Sequence, residues 1–326
     1  MTEVRPPACF MHVPKTAGIS LRTALAAALP PDSLAPQVHE AGSLGGFEDF
    51  DLLGPQARRA VAATPAEIDG LGRYPAIFGH FSLSTLLRHA PLERIATVLR
   101  EPRARIVSHY LFLRFYASLR TYYGGAGLHE CAEVPFRQFL LDPSAAYAID
   151  NVVCRMLLRG DPRIPPADFI DEADLEALAE EAWRLLSRFG FVGFIEEPEA
   201  VWRGVGDHFG VALAPVRENV TGEWEIAAGA EPVPPIGGAE TLELLERRCA
   251  ADAILYRRVV AAARGDSAVR RIEGVAFDAA LKALRGFSGA APVLGGPAGE
   301  AAVADAQSSG RWRFIERLRR RRPPAV

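Results

Sequence analysis

The feature that most constrains this chain is an apolar run that stops in a short polar loop and is followed at once by a helical pattern. Ala8 to Val13 (ACFMHV) reads as a buried strand, PKTAG as a loop, and Ser20 to Leu29 as a helix that stops before Pro30 and Pro31. The same order of parts recurs downstream. Tyr74 to Gly79 and Ile95 to Leu99 are strand candidates, and Pro102 stands where a helix start tolerates it, with Ile106, Tyr110 and Leu113 behind it at helical spacing. Gly190 to Ile195 is a fourth strand, followed by a helix from Pro198 to Phe209. Further helices are expected over Glu172 to Phe189, with an acidic start and an apolar stripe, and over Gly238 to Ala263. Short apolar strands alternating with helices predict an α/β fold, P-loop-like and three-layered, with a central parallel sheet flanked by helices.

A chain of 326 residues, 49% hydrophobic and 24% charged, can bury such a core in one domain, expected over residues 1–287. From residue 288 the run SGAAPVLGGPAGEAAVADAQSSG is rich in Gly, Ala, Pro and Ser and reads as a disordered linker. The tail beyond it gathers seven arginines between Arg311 and Arg322, with Trp312, Phe314, Ile315 and Leu318 interleaved. An amphipathic anchor on an anionic membrane surface is one reading of this tail, and a solubilising charged extension is the other. The net charge of −3 gives no support for a nucleic-acid partner. Because a motif-like segment begins within about ten residues of Met1 and no long apolar run follows, a cytoplasmic protein is expected, with peripheral contact at the inner membrane face if the tail is an anchor. Cys9, Cys131, Cys154 and Cys249 lie far apart without metal-ligand spacing, so buried thiols are expected rather than a zinc site or a disulfide framework.

The loop after the first strand holds the parts of a phosphate cradle. Gly18 permits close approach, Thr16 and Ser20 offer hydroxyls, Lys15 offers a point charge, and the backbone N–H groups through Ala17, Gly18 and Ile19 would face an anion. Only two of the 37 basic residues are lysines, Lys15 and Lys282, and one of them falls here. Taken alone, the string suits an ordinary strand-to-helix turn with a surface lysine. A Walker A motif is excluded, because its lysine follows the second glycine whereas Lys15 precedes Gly18. A second segment, TVLREPRARIVSHY, places Arg100 at the end of an apolar strand and Ser108 two turns into the next helix. A charge leaving the C-terminal end of a buried strand is where open α/β sheets bind ligands, although Arg100 and Arg105 taken singly also suit a salt bridge at the sheet edge.

Together and in this order, HVPKTAGIS resembles the 5'-phosphosulfate loop, and RxPxxRxxSxY the 3'-phosphate motif, of sulfotransferases that use 3'-phosphoadenosine 5'-phosphosulfate (PAPS). The likeness is to the carbohydrate branch that includes the heparan sulfate and uronyl 2-O-sulfotransferases, in a soluble member of bacterial type, and it covers about Cys9 to Val260. It implies that Arg100 and Ser108 hold the 3'-phosphate of the nucleotide and that residues 15–20 hold its 5' side. Ile19 stands where the branch often has threonine, and Glu101 where the family has aspartate. Arg105 and Tyr110 match as well and are read as packing and loop support. GHFS resembles the GHxS segment of the 2-O-sulfotransferases, which implies His80 as the base, with Ser82 beside it. Asn151 and Arg155 resemble a DNxxxR segment, read as active-site support or acceptor contacts.

Other candidates are less specific. His12, His109 and Glu196 are alternative bases. Tyr116, Tyr122 and Tyr123, with Arg114 and Arg120 and ending in Gly124 and Gly125, could stack on sugar rings, or could form a solvated helix end and lid. Arg217 to Thr221 (RENVT) lies where relatives add nucleotide contacts. The expected activity is sulfuryl transfer from PAPS, as co-substrate, to a hydroxyl of a glycan or lipid-linked sugar, with no metal required. The rival expectations are a nucleotide kinase dependent on ATP and magnesium, and a non-catalytic nucleotide-binding protein of the same fold.

Overall fold

A computed structural model describes residues 5–36, 40, 64–119, 134–166, 168–216, 228–232, 238–286 and 288–290. β1 (Ala8–Met11) is followed by α1 (Gly18–Ala28), α2 (Pro65–Asp69), β2 (Ala76–Gly79), α3 (Leu83–Leu86), β3 (Ile95–Leu99) and α4 (Pro102–Leu119). α5 (Phe136–Leu141), α6 (Ala146–Ile149), α7 (Val152–Leu157) and α8 (Leu175–Leu186) lead to β4 (Phe191–Phe194) and α9 (Pro198–Phe209). Then come β5 (Ala228–Pro232), α10 (Ala239–Arg248), α11 (Ala250–Arg264), α12 (Asp266–Gly286) and β6 (Ser288–Ala290).

The central sheet has the order β2-β1-β3-β4, and every neighbouring pair is parallel. Met11 lies beside Gly79, Phe10 beside Ala96 and Leu99 beside Phe194, so the strands end nearly level. The residues that leave them, His12, His80, Arg100 and Ile195, therefore emerge along one edge. The chain runs from β1 to β2 on one side and returns to β3 on the other. The loops after β1 and β3 leave the sheet at this reversal, the position where doubly wound sheets form a ligand-binding crevice.

Alternation along the strands builds the three layers. Phe10, Phe78, Ala96 and Val98 face Leu21 and Leu25 of α1 and Val201 and Val205 of α9, with the Phe10 and Phe78 rings stacked at 4.5 Å. Cys9, Met11, Ile77, Ile95, Leu99 and Phe194 face the opposite way, onto α3, α7, α8 and α11. Beyond the sheet, α4 packs with α5, α6, α10 and α12 around a second helical core. Burying strands on both faces is what makes their sequences read as continuous apolar runs. Cys9, Cys154 and Cys249 are buried free thiols, and burial pushes Cys9 up to about 12; Cys131 lies outside the described residues. Among the described residues no helix is long and apolar enough to cross a membrane.

The expected helix over Gly238 to Ala263 is instead two. Its break falls at Cys249 (φ −131, ψ 18), and the new N-terminus of α11 receives a side chain from another element, described below. α12, which has no counterpart among the helices the sequence predicts, starts after Gly265 in the left-handed region at φ 79 and packs Ala280 and Leu284 into the second core. Ser288–Ala290, the first residues of the expected linker, pair antiparallel with β5. The rest of the linker and the arginine-rich tail lie outside the described residues.

Gly204 in α9 lies where a Cβ would meet the Phe191 ring at 2.0 Å. In an open helix position Gly→Ala stabilises by about 1 kcal/mol. At this site Gly204→Ala is expected to destabilise by about 1–3 kcal/mol through overpacking, read as a lower urea midpoint at unchanged slope.

Candidate active site

The loop between β1 and α1 is held in a costly conformation. Lys15 (φ 71) and Ala17 (φ 62) both occupy the left-handed region, which non-glycine residues rarely enter. Such strain is of order ~1 kcal/mol or more per residue and persists where the surroundings enforce it. Alternating backbone handedness can turn successive N–H groups toward one concavity, the arrangement of an anion nest. The buried Thr16 donates its hydroxyl to Val13 O at 2.8 Å and braces the loop from inside. α1 opens at Gly18 without a side-chain cap and without an acidic residue in its first turn. Ser20 is buried in that turn, while Ile19 is 43% exposed.

The histidine that ends β1 shapes the crevice. A Cβ on Gly18 would lie 1.7 Å from His12 Nε2, so the imidazole occupies space that only glycine leaves. His12 in turn stacks on His80, with ring centroids 4.1 Å apart and 22° between planes. His80 Nδ1 lies 2.7 Å from His12 O. A carbonyl can only accept, so Nδ1 carries the proton and the lone pair of the neutral ring is on Nε2. Burial lowers the His80 pKa to about 4, opposed by this hydrogen bond and assisted by the charge of Lys15. The ring is thus a neutral proton acceptor throughout the physiological range.

Lys15 and Arg100 reach the crevice from the neighbouring strands β1 and β3. Arg100 Nη1 donates to Lys15 O at 3.3 Å, which joins the two loops. Lys15 Nζ lies 3.9 Å above the centre of the Phe112 ring of α4. Burial, then the Arg100 charge, lowers the Lys15 ammonium to about 7. Both cations keep a partial opening to solvent although protein surrounds them on most sides, which is why desolvation dominates. Ser108, buried at 2%, is one turn before Phe112 on the same stripe of α4, nearer the helix start and Arg100.

Glu101 caps α4. Its Oε2 accepts from Ala104 N and its Oε1 from Arg103 Nε, each at 2.7 Å, while its backbone N–H donates to Glu196 Oε1 at 2.9 Å. The capping role explains why a carboxylate precedes Pro102. Glu196 is therefore a support for the loop after β3. Its carboxyl is raised by burial, against hydrogen bonds from the Glu101 and Glu196 backbones and the nearby Arg100. Arg105 is buried, donates Nη2 to Ala148 O at 3.0 Å, and ties α4 to α6. Tyr110 packs between Phe136 and Phe139 and donates its hydroxyl to Val134 O, the supporting place expected for it. His109 is buried and lowered well below its ordinary value, first by burial and then by Arg105, Lys15 and His80.

Asn151 and Arg155 stand in a different network. Asn151, at φ 46, accepts at Oδ1 from Ala251 N (2.8 Å) and caps α11, while Asp252 accepts from Val153 N and Cys154 N at 3.0 Å and caps α7. This reciprocal clasp is what breaks the late helix at Cys249. Arg155 donates to Asp150 O, Asp150 Oδ2, Pro165 O and Asp168 O at 2.5–2.7 Å, a set that fixes the chain after α7. The structure thus commits both side chains to internal support. Tyr116 falls on α4 where the side chain is not described; Arg120, Tyr122, Tyr123, Gly124, Gly125 and Arg217 to Thr221 lie outside the described residues.

Two contacts have no motif to announce them. Phe112 forms the platform under Lys15. Glu40 reaches the turn after β2, where Oε2 accepts from Ser82 N at 2.8 Å and Ser82 Oγ at 3.0 Å, while Oε1 pairs with Arg159 at 2.6 Å. Helical spacing from Ser108 would have marked Phe112; nothing periodic marks Glu40.

No family model, curated protein or solved structure matches the chain.

Gly18→Ala is expected to cost about 1–3 kcal/mol in urea denaturation, because His12 cannot retreat without displacing His80. Asn151→Ala is expected to cost about 1–3 kcal/mol through the orphaned Ala251 N–H. If Asn151 served an acceptor instead, the variant would lose turnover at unchanged stability.

Proposed function

We propose that this protein is a sulfotransferase that binds PAPS between the loops after β1 and β3 and transfers its sulfuryl group to a hydroxyl of a carbohydrate acceptor. The observation that carries this reading is the convergence of Lys15, His80 and Arg100 from the level ends of three adjacent parallel strands, beside a strained anion nest. A doubly anionic nucleotide end suits this place, because the crevice has cations whose charge burial disfavours and which an anion would stabilise.

Each residue has a defined task in this reading. Arg100, with Ser108, holds the 3'-phosphate; Lys15 and the N–H groups of residues 16–20 hold the 5' end. When bound, PAPS supplies an activated sulfur bonded to a phosphate oxygen. His80 Nε2 takes the proton of the acceptor hydroxyl as its oxygen bonds to sulfur, and Lys15 stabilises charge on the phosphate oxygen released opposite. The Nδ1–H bond to His12 O keeps the ring in the tautomer this requires. Because Lys15 lowers His80, an anion bound at Lys15 offsets that charge and makes His80 more basic once the donor is in place.

Isothermal titration with the product nucleotide, 3'-phosphoadenosine 5'-phosphate, beside AMP and ATP with magnesium tests the donor site. Binding is expected to depend on the 3'-phosphate and to weaken by about 1.5–3 kcal/mol, roughly tenfold or more, in Arg100→Ala. Preference for ATP with magnesium would contradict the reading.

Lys15 gives a second test. Its folded value of about 7 lies below the ordinary 10.5, so the folded state bears the full cost of its charge below about pH 7 and sheds it as pH rises toward 10.5. Lys15→Met is therefore expected to raise Tm on the acid side of this window, by about 2–4 °C per kcal/mol relieved, with the gain vanishing at alkaline pH. The same variant should lose about a hundredfold to a thousandfold in transfer rate. Unchanged Tm with full activity would remove Lys15 from the site.

A further inference from the structure

We propose that Glu40 is a positioning residue that fixes the turn presenting His80, an inference that rests on His80 being the proton acceptor. The turn after β2, His80-Phe81-Ser82, is held from both ends by this single residue. At one end the Glu40 backbone N–H donates to His80 O at 3.3 Å. At the other, its carboxylate receives both the backbone N–H and the hydroxyl of Ser82. The side chain is only 17% exposed, and its remaining oxygen pairs with Arg159, so the carboxylate cannot leave without breaking three contacts. Phe81 beneath the turn is fully buried, and Ser82 Oγ lies within 3.3 Å of Thr85 Oγ1 and 3.0 Å of Ser84 Oγ. The serine of the GHxS-like segment thus has a structural account: it is the point on which Glu40 grips.

What this grip protects is the short bond from His80 Nδ1 to His12 O, which sets the tautomer. The charged and titratable groups around His80 are His12 at the end of β1, Lys15 from the loop, His109 from α4 and Glu40 with its partner Arg159. Glu40 acts on His80 through the backbone and Ser82, by position, and a shape-preserving change at residue 40 separates position from charge.

The test is nitrogen-15 NMR of histidine-labelled protein, reading the tautomer and titration of His80 in wild type, Glu40→Ala, Glu40→Asp and Glu40→Gln, with folding checked by circular dichroism. Wild-type His80 is expected to be the Nδ1–H tautomer and to titrate near 4. Alanine removes the grip, and aspartate is too short to reach Ser82 N; both should admit water, reduce the Nδ1–H population and move His80 toward its ordinary 6.5. Glutamine keeps an acceptor oxygen at the same reach and should restore the wild-type signature without the charge. A folded Glu40→Asp or Glu40→Ala protein with unchanged His80 overturns the proposal, as does a Gln variant that shifts as far as Ala. The functional reading fails separately: if His80→Ala retains sulfuryl transfer, His80 is not the base, whatever the NMR shows of Glu40.

Discussion

The site depends on one packing relation: the imidazole of His12 lies where a side chain at residue 18 would otherwise stand. That ring is the wedge between the loop after β1 and the turn after β2. On one side it bounds the start of α1; on the other it stacks on His80, and its carbonyl fixes the His80 tautomer. The proposed anion cradle and the proposed base are therefore built as one unit, and neither can be displaced without the other. Glycine at 18 is needed for close approach, with no demand on its backbone angles; the left-handed positions are Lys15 and Ala17.

Cationic groups are gathered around this unit at the cost of their hydration. Burial weighs against the charged forms of Lys15, His80, His109, Arg100 and Arg105, all gathered at or just beneath one end of the sheet. Nearby carboxylates serve other duties, Glu101 as the cap of α4 and Glu196 as acceptor of the Glu101 N–H. A fold held together for stability alone has little reason to keep strained backbone and desolvated cations together. Their coincidence is what the proposed anion-binding and group-transferring site would cost in stability.

Much of the architecture was legible because the strands are buried on both faces. Ile95–Leu99 and Pro198–Phe209 fall where the apolar run and the proline start predict them, and Arg100 leaves the sheet at the predicted edge. What was not legible depended on partners distant in sequence. The late helix breaks at Cys249 because Asn151, about a hundred residues away, supplies the cap for α11. The same bond holds Asn151 in the core. α12 carries a helical stripe, Val269, Ile272, Phe277, Ala280 and Leu284, that follows Gly265 and could have been found by period alone. Glu40 could not, since its importance lies in where its carboxylate lands, on Ser82, rather than in any local pattern.

The most direct measurement is transfer of sulfur-35 from labelled PAPS to a mixture of uronic-acid and neutral oligosaccharides, compared among wild type, Lys15→Met and His80→Ala. The account predicts label in carbohydrate ester with wild type and its loss in both variants, each still folded. Label transferred equally by the variants, or transfer of phosphate from ATP in its place, would contradict it.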